Sequence, residues 1–164
     1  MKYKLKINGY LLLVLCFFIF AAGCEKLLNP ESEADIEREI FDLVNQHRIS
    51  MGLNAFEWNE TIAQQCRNHS NNMKSGSIPI GHDGFEQRFA NIRDVVSVTS
   101  IAENVAFFNT GLYGSSSPAS LIFNGWVDSA EHRVNIDGDF NLTGVGVAKD
   151  GSEYYCTQIY VKTN

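Results

Sequence analysis

Apolar positions organise this chain into alternating stripes. After Ser32 they fall at Ile36, Ile40, Leu43, Val44 and Met51, which is the spacing of one buried helix face. Ser32 with Asp35 three residues on forms a capping-box pattern, and Gly52 supplies a stop. Asn59 suits an N-cap, and Ile62, Cys66, His69 and Met73 then form the inward stripe of a second helix. Residues 75–83 read as turns, and 85–95 as a third helix. The stretch 101–108 has strand character towards its end, interrupted by Glu103-Asn104. A Gly- and Ser-rich loop at 111–117 leads to Ser117-Pro118, a cap followed by proline at the first helical position. That predicts a helix to about Asp128 with Leu121, Ile122 and Trp126 facing inward, and Ser129 capping a further turn through Arg133. Two apolar-rich runs, 143–149 and 153–161, flank Asp150-Gly151, a strong hairpin signal. Helices come first and the hairpin last, with no βαβ alternation, so the fold class is α+β with layered packing.

The first residues follow a different pattern. Residues 1–8 carry Lys2, Lys4 and Lys6, and an unbroken apolar run of thirteen residues follows from Tyr10 to Ala22. That run is shorter than the roughly 20 residues that span a bilayer as a helix, so it reads as a secretory signal. Its end, Ala21-Ala22-Gly23-Cys24, resembles a bacterial lipobox, with Ala21 where Leu is commoner. The expectation is a lipoprotein signal peptide over 1–23, lipid on Cys24, a polar tether over 24–33 and one domain over 34–163. Cys16 leaves with the leader, so Cys66 and Cys156 remain: either a disulfide of an oxidising compartment or two small buried thiols.

Composition narrows the partners. The 164 residues carry a formal charge of −6, and losing the three leader lysines makes the remainder more acidic. Such a body has no general attraction for nucleic acid, where phosphate neutralisation by Lys and Arg supplies most of the affinity. A hydrophobic fraction of 45% with only three prolines fits one globular domain and no stalk or repeat array.

The chemistry lies in polar residues at unusual places. No phosphate-cradling glycine loop, Cys-x-x-Cys pair or His-Glu-x-x-His helix is present. His82 follows Gly81 in a loop. Glu103 sits inside the apolar run Ile101-Ala102-Glu103-Asn104-Val105-Ala106, where a carboxylate is expensive to bury unless something pairs with it. His132 falls in the helical turn after Ser129. His69, on the inward stripe, reads as a hydrogen-bonded core histidine. Arg88, Arg133 and Asn135 read as frame residues that bond backbone carbonyls, and strand alternation leaves the face of Gln158 open.

Together these motifs resemble the bacterial branch of the CAP superfamily, the SCP domain of cysteine-rich secretory, antigen 5 and pathogenesis-related proteins. The resemblance runs from about Ile36 to Val161. It rests on Leu43-Val44-Asn45-Gln46-His47-Arg48, Gly52-Leu53, Trp58-Asn59, His69-Ser70 with Met73, and Gly81-His82 with Phe85 and Arg88. It continues through Ala102-Glu103-Asn104-Val105-Ala106, Trp126, Ser129, His132-Arg133 with Asn135-Ile136, Gly144-Val145-Gly146-Val147 and Thr157-Gln158. It implies a three-layer α-β-α sandwich and a cleft of two His and two acidic residues that holds zinc in some members. The matching positions are His82, Glu103 and His132, with Ser129 in place of the second acid. The implied metal set is therefore His82, Glu103 and His132, one ligand short of four, and the same three side chains also make a satisfied polar cluster without any metal.

Two functions follow. One is a non-enzymatic binding module, tethered to the bacterial envelope through its lipid, whose cleft meets a lipid, glycan or protein. The other is a hydrolase, peptidase-like and metal-dependent, with Glu103 or a histidine activating water. A variant of the second has Ser129 as nucleophile and His132 as base, although Ser129 lies where an N-cap belongs. An envelope protein with a relic cleft is a third reading. The binding reading is preferred, because nothing in the sequence supplies both an activated nucleophile and an oxyanion stabiliser.

Overall fold

The structure is a computed structural model describing residues 31–112 and 116–164. The leader, Cys16, Cys24 and the middle of the 111–117 loop lie outside the described residues. Helix α1, Glu33–Ser50, begins on the predicted capping box: Asp35 N–H donates to Ser32 Oγ, and Ser32 N–H to Asp35 Oδ2. It ends before Gly52, whose φ of +77° only glycine adopts cheaply. Met51 therefore lies beyond the helix and is exposed, not on the inward stripe. Strand β1, Glu57–Trp58, is a two-residue element that hydrophobic periodicity does not signal. Helix α2, Glu60–Lys74, is capped by Asn59 and buries the expected Ile62, Cys66, His69 and Met73. Helix α3 spans Phe85–Arg93, two residues shorter than predicted.

Strand β2 spans Ser100–Asn109 and runs straight through Glu103-Asn104. Helix α4, Pro118–Asp128, starts at the Ser117 cap, and α5 spans Ala130–Ile136. Strands β3, Leu142–Asp150, and β4, Glu153–Lys162, form the hairpin. The sheet order is β1-β3-β4-β2, with β1 parallel to β3 and the other pairs antiparallel.

Alternation along the strands separates two apolar layers. Val145, Val147, Cys156 and Tyr160 join Ile36, Ile40 and Val44 of α1 and Ile122 and Trp126 of α4. Ile159 and Val161 face the other way, onto Ile62 and Cys66 of α2 and Ile92 of α3. The result is the expected α-β-α sandwich. Helix α2 rests directly on β3 at Gly144 and Gly146, where a Cβ would lie 2.2 Å and 2.1 Å from the backbone nitrogens of Ala63 and Arg67. Cys66 and Cys156 are free, buried thiols. Cys66 sits on α2 and donates to Gly144 O, whereas Cys156 points into the opposite layer. The sheet stands between them, so the disulfide alternative does not hold here.

The outer edge of β3 is closed by side chains. Glu37, buried on α1, accepts from Val147 N–H at 3.1 Å, and Glu33 accepts from Lys149 N–H at 2.8 Å. Glu37 also receives both Nε and Nη2 of Arg67. An exposed ladder edge invites pairing with another chain, and two carboxylates plus a guanidinium blunt this one.

Candidate functional site

Strand β2 is an edge strand, and its neighbours Glu103 and Asn104 point to opposite layers. Glu103 projects to the α2–α3 side and Asn104 to the α4–α5 side. Glu103 is the buried carboxylate that needs a partner, and it has two. Arg88 of α3 donates Nε to Oε2 at 2.8 Å and Nη2 to Oε1 at 2.7 Å, a bidentate fork. His82 Nδ1 lies 2.8 Å from Oε1. A carboxylate only accepts, so the proton of this bond sits on Nδ1 and Nε2 of His82 faces outward. The His82 side chain is 56% exposed while that of Glu103 is 2% exposed: a buried anchor holds an accessible imidazole.

Arg88 uses every N–H it has. Beyond Glu103, Nη1 donates to Asp83 O at 2.8 Å and to His69 Nδ1 at 2.9 Å, and Nη2 reaches His82 O at 3.4 Å. Because Arg88 can only donate, His69 Nδ1 is the acceptor, and its Nε2–H donates to Gly81 O at 2.8 Å. Burial, with the charge of Arg88 adding to it, holds the His69 pKa below the usual histidine value. His69 and Arg88 thus grip the backbone of 81–83 and set His82 over Glu103.

On the other side, Asn104 Nδ2 donates to His132 O at 3.1 Å and to Tyr160 Oη at 3.0 Å, and Asn135 Nδ2 donates to Asn104 Oδ1 at 2.8 Å. Arg48, buried at the end of α1, donates to Ile136 O and Gly138 O, and His47 Nε2 meets Asp137 Oδ1 at 2.8 Å. These bonds seat α5 beside β2. Burial lowers the His132 pKa, and the neighbouring His82 lowers it further. Its Nδ1 is buried and has no hydrogen-bond partner among the described residues. Ser129 occupies the N-cap position of α5, but its hydroxyl makes no cap bond.

Of the four expected cleft residues, Glu103 and His82 are in direct contact, and His132 enters the same electrostatic neighbourhood from the opposite layer. Ser129 sits one turn before His132 and is not joined to His82 or Glu103, whose partners lie elsewhere. No group of three His, Cys, Asp or Glu side chains among the described residues is arranged to hold a metal ion. The donor chemistry gives the reason. Both Glu103 oxygens are taken by Arg88 and one also by His82, and Ser129 is neutral where the family carries an acid. The His82–Glu103–His132 set does not fit zinc in this arrangement.

Gln158 is buried in the α1–α4 layer, bonded to Thr143 and Tyr160, away from the cleft. Arg133 donates to Val127 O, a frame role. Arg88 bonds loop carbonyls as expected, but its fork onto Glu103 is a contact that spacing does not reveal. The available signal is the acid itself: a carboxylate in an apolar strand requires a cation nearby.

This fold, with a buried glutamate holding an exposed histidine at an edge strand, is that of the cysteine-rich secretory protein domains. The CAP family, described as the cysteine-rich secretory protein family, matches residues 41–160, and the chain belongs to it. The chain is 28% identical over 147 residues to the uncharacterized membrane protein YlbC of Bacillus subtilis (strain 168), a match that covers 84% of this chain and 40% of that protein. A solved extracellular SCP-domain protein from Bacillus anthracis str. Ames superposes with a TM-score of 0.64 at 28% identity, covering 80% of this chain and 41% of that one. An outer surface protein from Borrelia burgdorferi shares the fold with a TM-score of 0.66 at 15% identity, covering 81% and 96%. The chain spans less than half the length of the curated relatives it matches. No helix among the described residues is long and apolar enough to cross a membrane.

Proposed function

We propose that this protein is a lipid-anchored CAP domain of the bacterial cell envelope, facing the extracytoplasmic side, whose cleft binds a lipid, glycan or protein ligand without turning it over. The Ala21-Ala22-Gly23-Cys24 sequence behind its apolar run supports the anchor, as do relatives named as membrane, extracellular and outer surface proteins. Mass spectrometry of the membrane-extracted chain tests it: a diacylglycerol on Cys24 is expected, and an unmodified or differently cut N-terminus overturns it.

One observation carries the binding reading. The buried acid is committed to Arg88 and His82, so it presents a fixed imidazole instead of a free carboxylate to activate water. No cleft hydroxyl among the described residues is hydrogen-bonded to a base, and Ser129 is not joined to His132. A hydrogen-bonding hollow recognises polar groups on a ligand. Peptidoglycan fragments, phosphatidylglycerol vesicles and unfolded casein, titrated into the full chain with labelled histidines, are the probes. Saturable shifts at His82 and His132 with one of them are expected, and silence with all three sinks the reading.

The hydrolase reading has one observation in its favour: His82 Nε2 faces outward and its ring is oriented by an acid, as in a general base. Turnover of casein or of model esters, lost on His82→Ala, identifies that case.

A further inference from the structure

We infer that Arg88 is the positioning residue of the cleft and its resident cation: it occupies the Glu103 carboxylate, so that Glu103 anchors His82 and does not ligate metal. The first ground is geometry. Arg88 makes five hydrogen bonds, to both Glu103 oxygens, His69, Asp83 O and His82 O. A guanidinium fork matches a carboxylate with two parallel bonds, and a metal ion approaching Glu103 competes with both. The second ground is burial. The Arg88 and Glu103 side chains are 9% and 2% exposed, so water does not replace either partner. Freeing the carboxylate for a metal leaves a guanidinium buried without its counter-charge, which is strongly unfavourable.

The third ground is the proton bookkeeping around Arg88. A donor-only guanidinium on His69 Nδ1 places that ring's proton on Nε2, where Gly81 O receives it. An acceptor-only carboxylate on His82 Nδ1 places the second ring's proton on Nδ1. The two histidines therefore hold opposite tautomers, that of His69 set by Arg88 and that of His82 by the Glu103 carboxylate that Arg88 holds. His82 is left with its Nε2 lone pair turned to the cleft mouth. This concerns the hollow of the binding reading, but its readouts are histidine protons and zinc, so either idea can fail without the other.

The experiment uses the full chain in detergent. Long-range proton–nitrogen spectra at about pH 8, above the usual histidine range, report each tautomer. His82 as Nδ1–H with His69 as Nε2–H is expected, and His82 as Nε2–H overturns the proposal. Zinc chloride is then titrated calorimetrically into wild type, Glu103→Gln and Arg88→Met. Wild type is expected to take up no zinc at the cleft, because Arg88 already occupies the carboxylate, and saturable wild-type uptake that is lost in Glu103→Gln overturns the proposal. Folded Arg88→Met, with its carboxylate released beside His82, is expected to bind zinc at least about tenfold tighter, and no gain overturns it. If either variant fails to fold, the wild-type tautomers still decide.

Discussion

Gly146→Ala is the sharpest stress on the frame that holds the cleft. An added Cβ lies 2.1 Å from Arg67 N and 2.2 Å from Cys66 C, both backbone atoms of α2. Ordinary contact begins near 3.4 Å, so helix and strand must part by more than 1 Å. Neither can yield by rotating a side chain. The separation loosens the packing of Ile62 and Cys66 against Ile159, and it stretches the 2.8 Å bond from Ser70 Oγ to Gly146 O. A gap of that size forfeits about half of the dispersion energy across the seam. Overpacking of this kind costs about 3 kcal/mol, at the upper end of its usual range. For a domain of this size that lowers Tm by roughly 10 °C. Gly125→Ala is the control: its Cβ meets only the tip of the Phe108 ring at 2.7 Å, which a rotation relieves. The cost of that rotation offsets about 1 kcal/mol of gained helix propensity in α4, leaving stability nearly unchanged. Urea unfolding followed by tryptophan fluorescence reads both variants. A Gly146→Ala midpoint equal to wild type, or a Gly125→Ala loss as large as that of Gly146→Ala, refutes the close helix–strand contact.

Other outcomes follow from the same contacts. Cys66 and Cys156, whose burial pushes both thiols above the usual range, are expected to alkylate only after denaturation and without reductant; a linked 66–156 peptide contradicts their placement on opposite faces. Glu37→Ala frees Val147 N–H and strips Arg67 of its bidentate partner, and is expected to cost about 2–3 kcal/mol, since partly exposed Arg67 regains water. His69 and His132 have lowered pKa values, so below the unfolded value near 6.5 the unfolded chain takes up protons that the folded chain refuses. Their contribution is complete above that pH and is lost as pH falls towards the folded values. The urea midpoint is expected to drop from about pH 7.5 to about pH 5.5, and His69→Gln to flatten that slope; an unchanged slope contradicts the assignment.

Local signals carry much of the fold. Ser32 with Asp35, Asn59, Ser117-Pro118 and Asp150-Gly151 each act within a few residues, so their caps and turns are readable from spacing alone. Long-range partners are less so. Glu103 announces itself as an acid in an apolar strand, but its cation lies fifteen residues back on a helix, and Arg88 looks like any helical arginine. Glu37 looks like a solvent-facing helix residue, yet it serves a strand edge 110 positions away. Gly144 and Gly146 sit in a strand pattern without positive φ, and only the docked helix shows why a side chain is excluded there. Ser129 stands where an N-cap belongs, and whether its hydroxyl makes the bond depends on the join between α4 and α5. The family resemblance supplies what spacing lacks: that positions 82, 103 and 132 approach one edge strand.

Whether the cleft binds or cleaves is settled most directly by turnover. The full chain, in detergent, is incubated with casein, peptidoglycan fragments and model esters, with and without added zinc, beside folded His82→Ala and Glu103→Ala variants. With Glu103 committed to Arg88 and the Ser129 hydroxyl not joined to His132, all three proteins should match the uncatalysed background. Product formed by wild type and abolished in both variants would contradict this and make the cleft an active site.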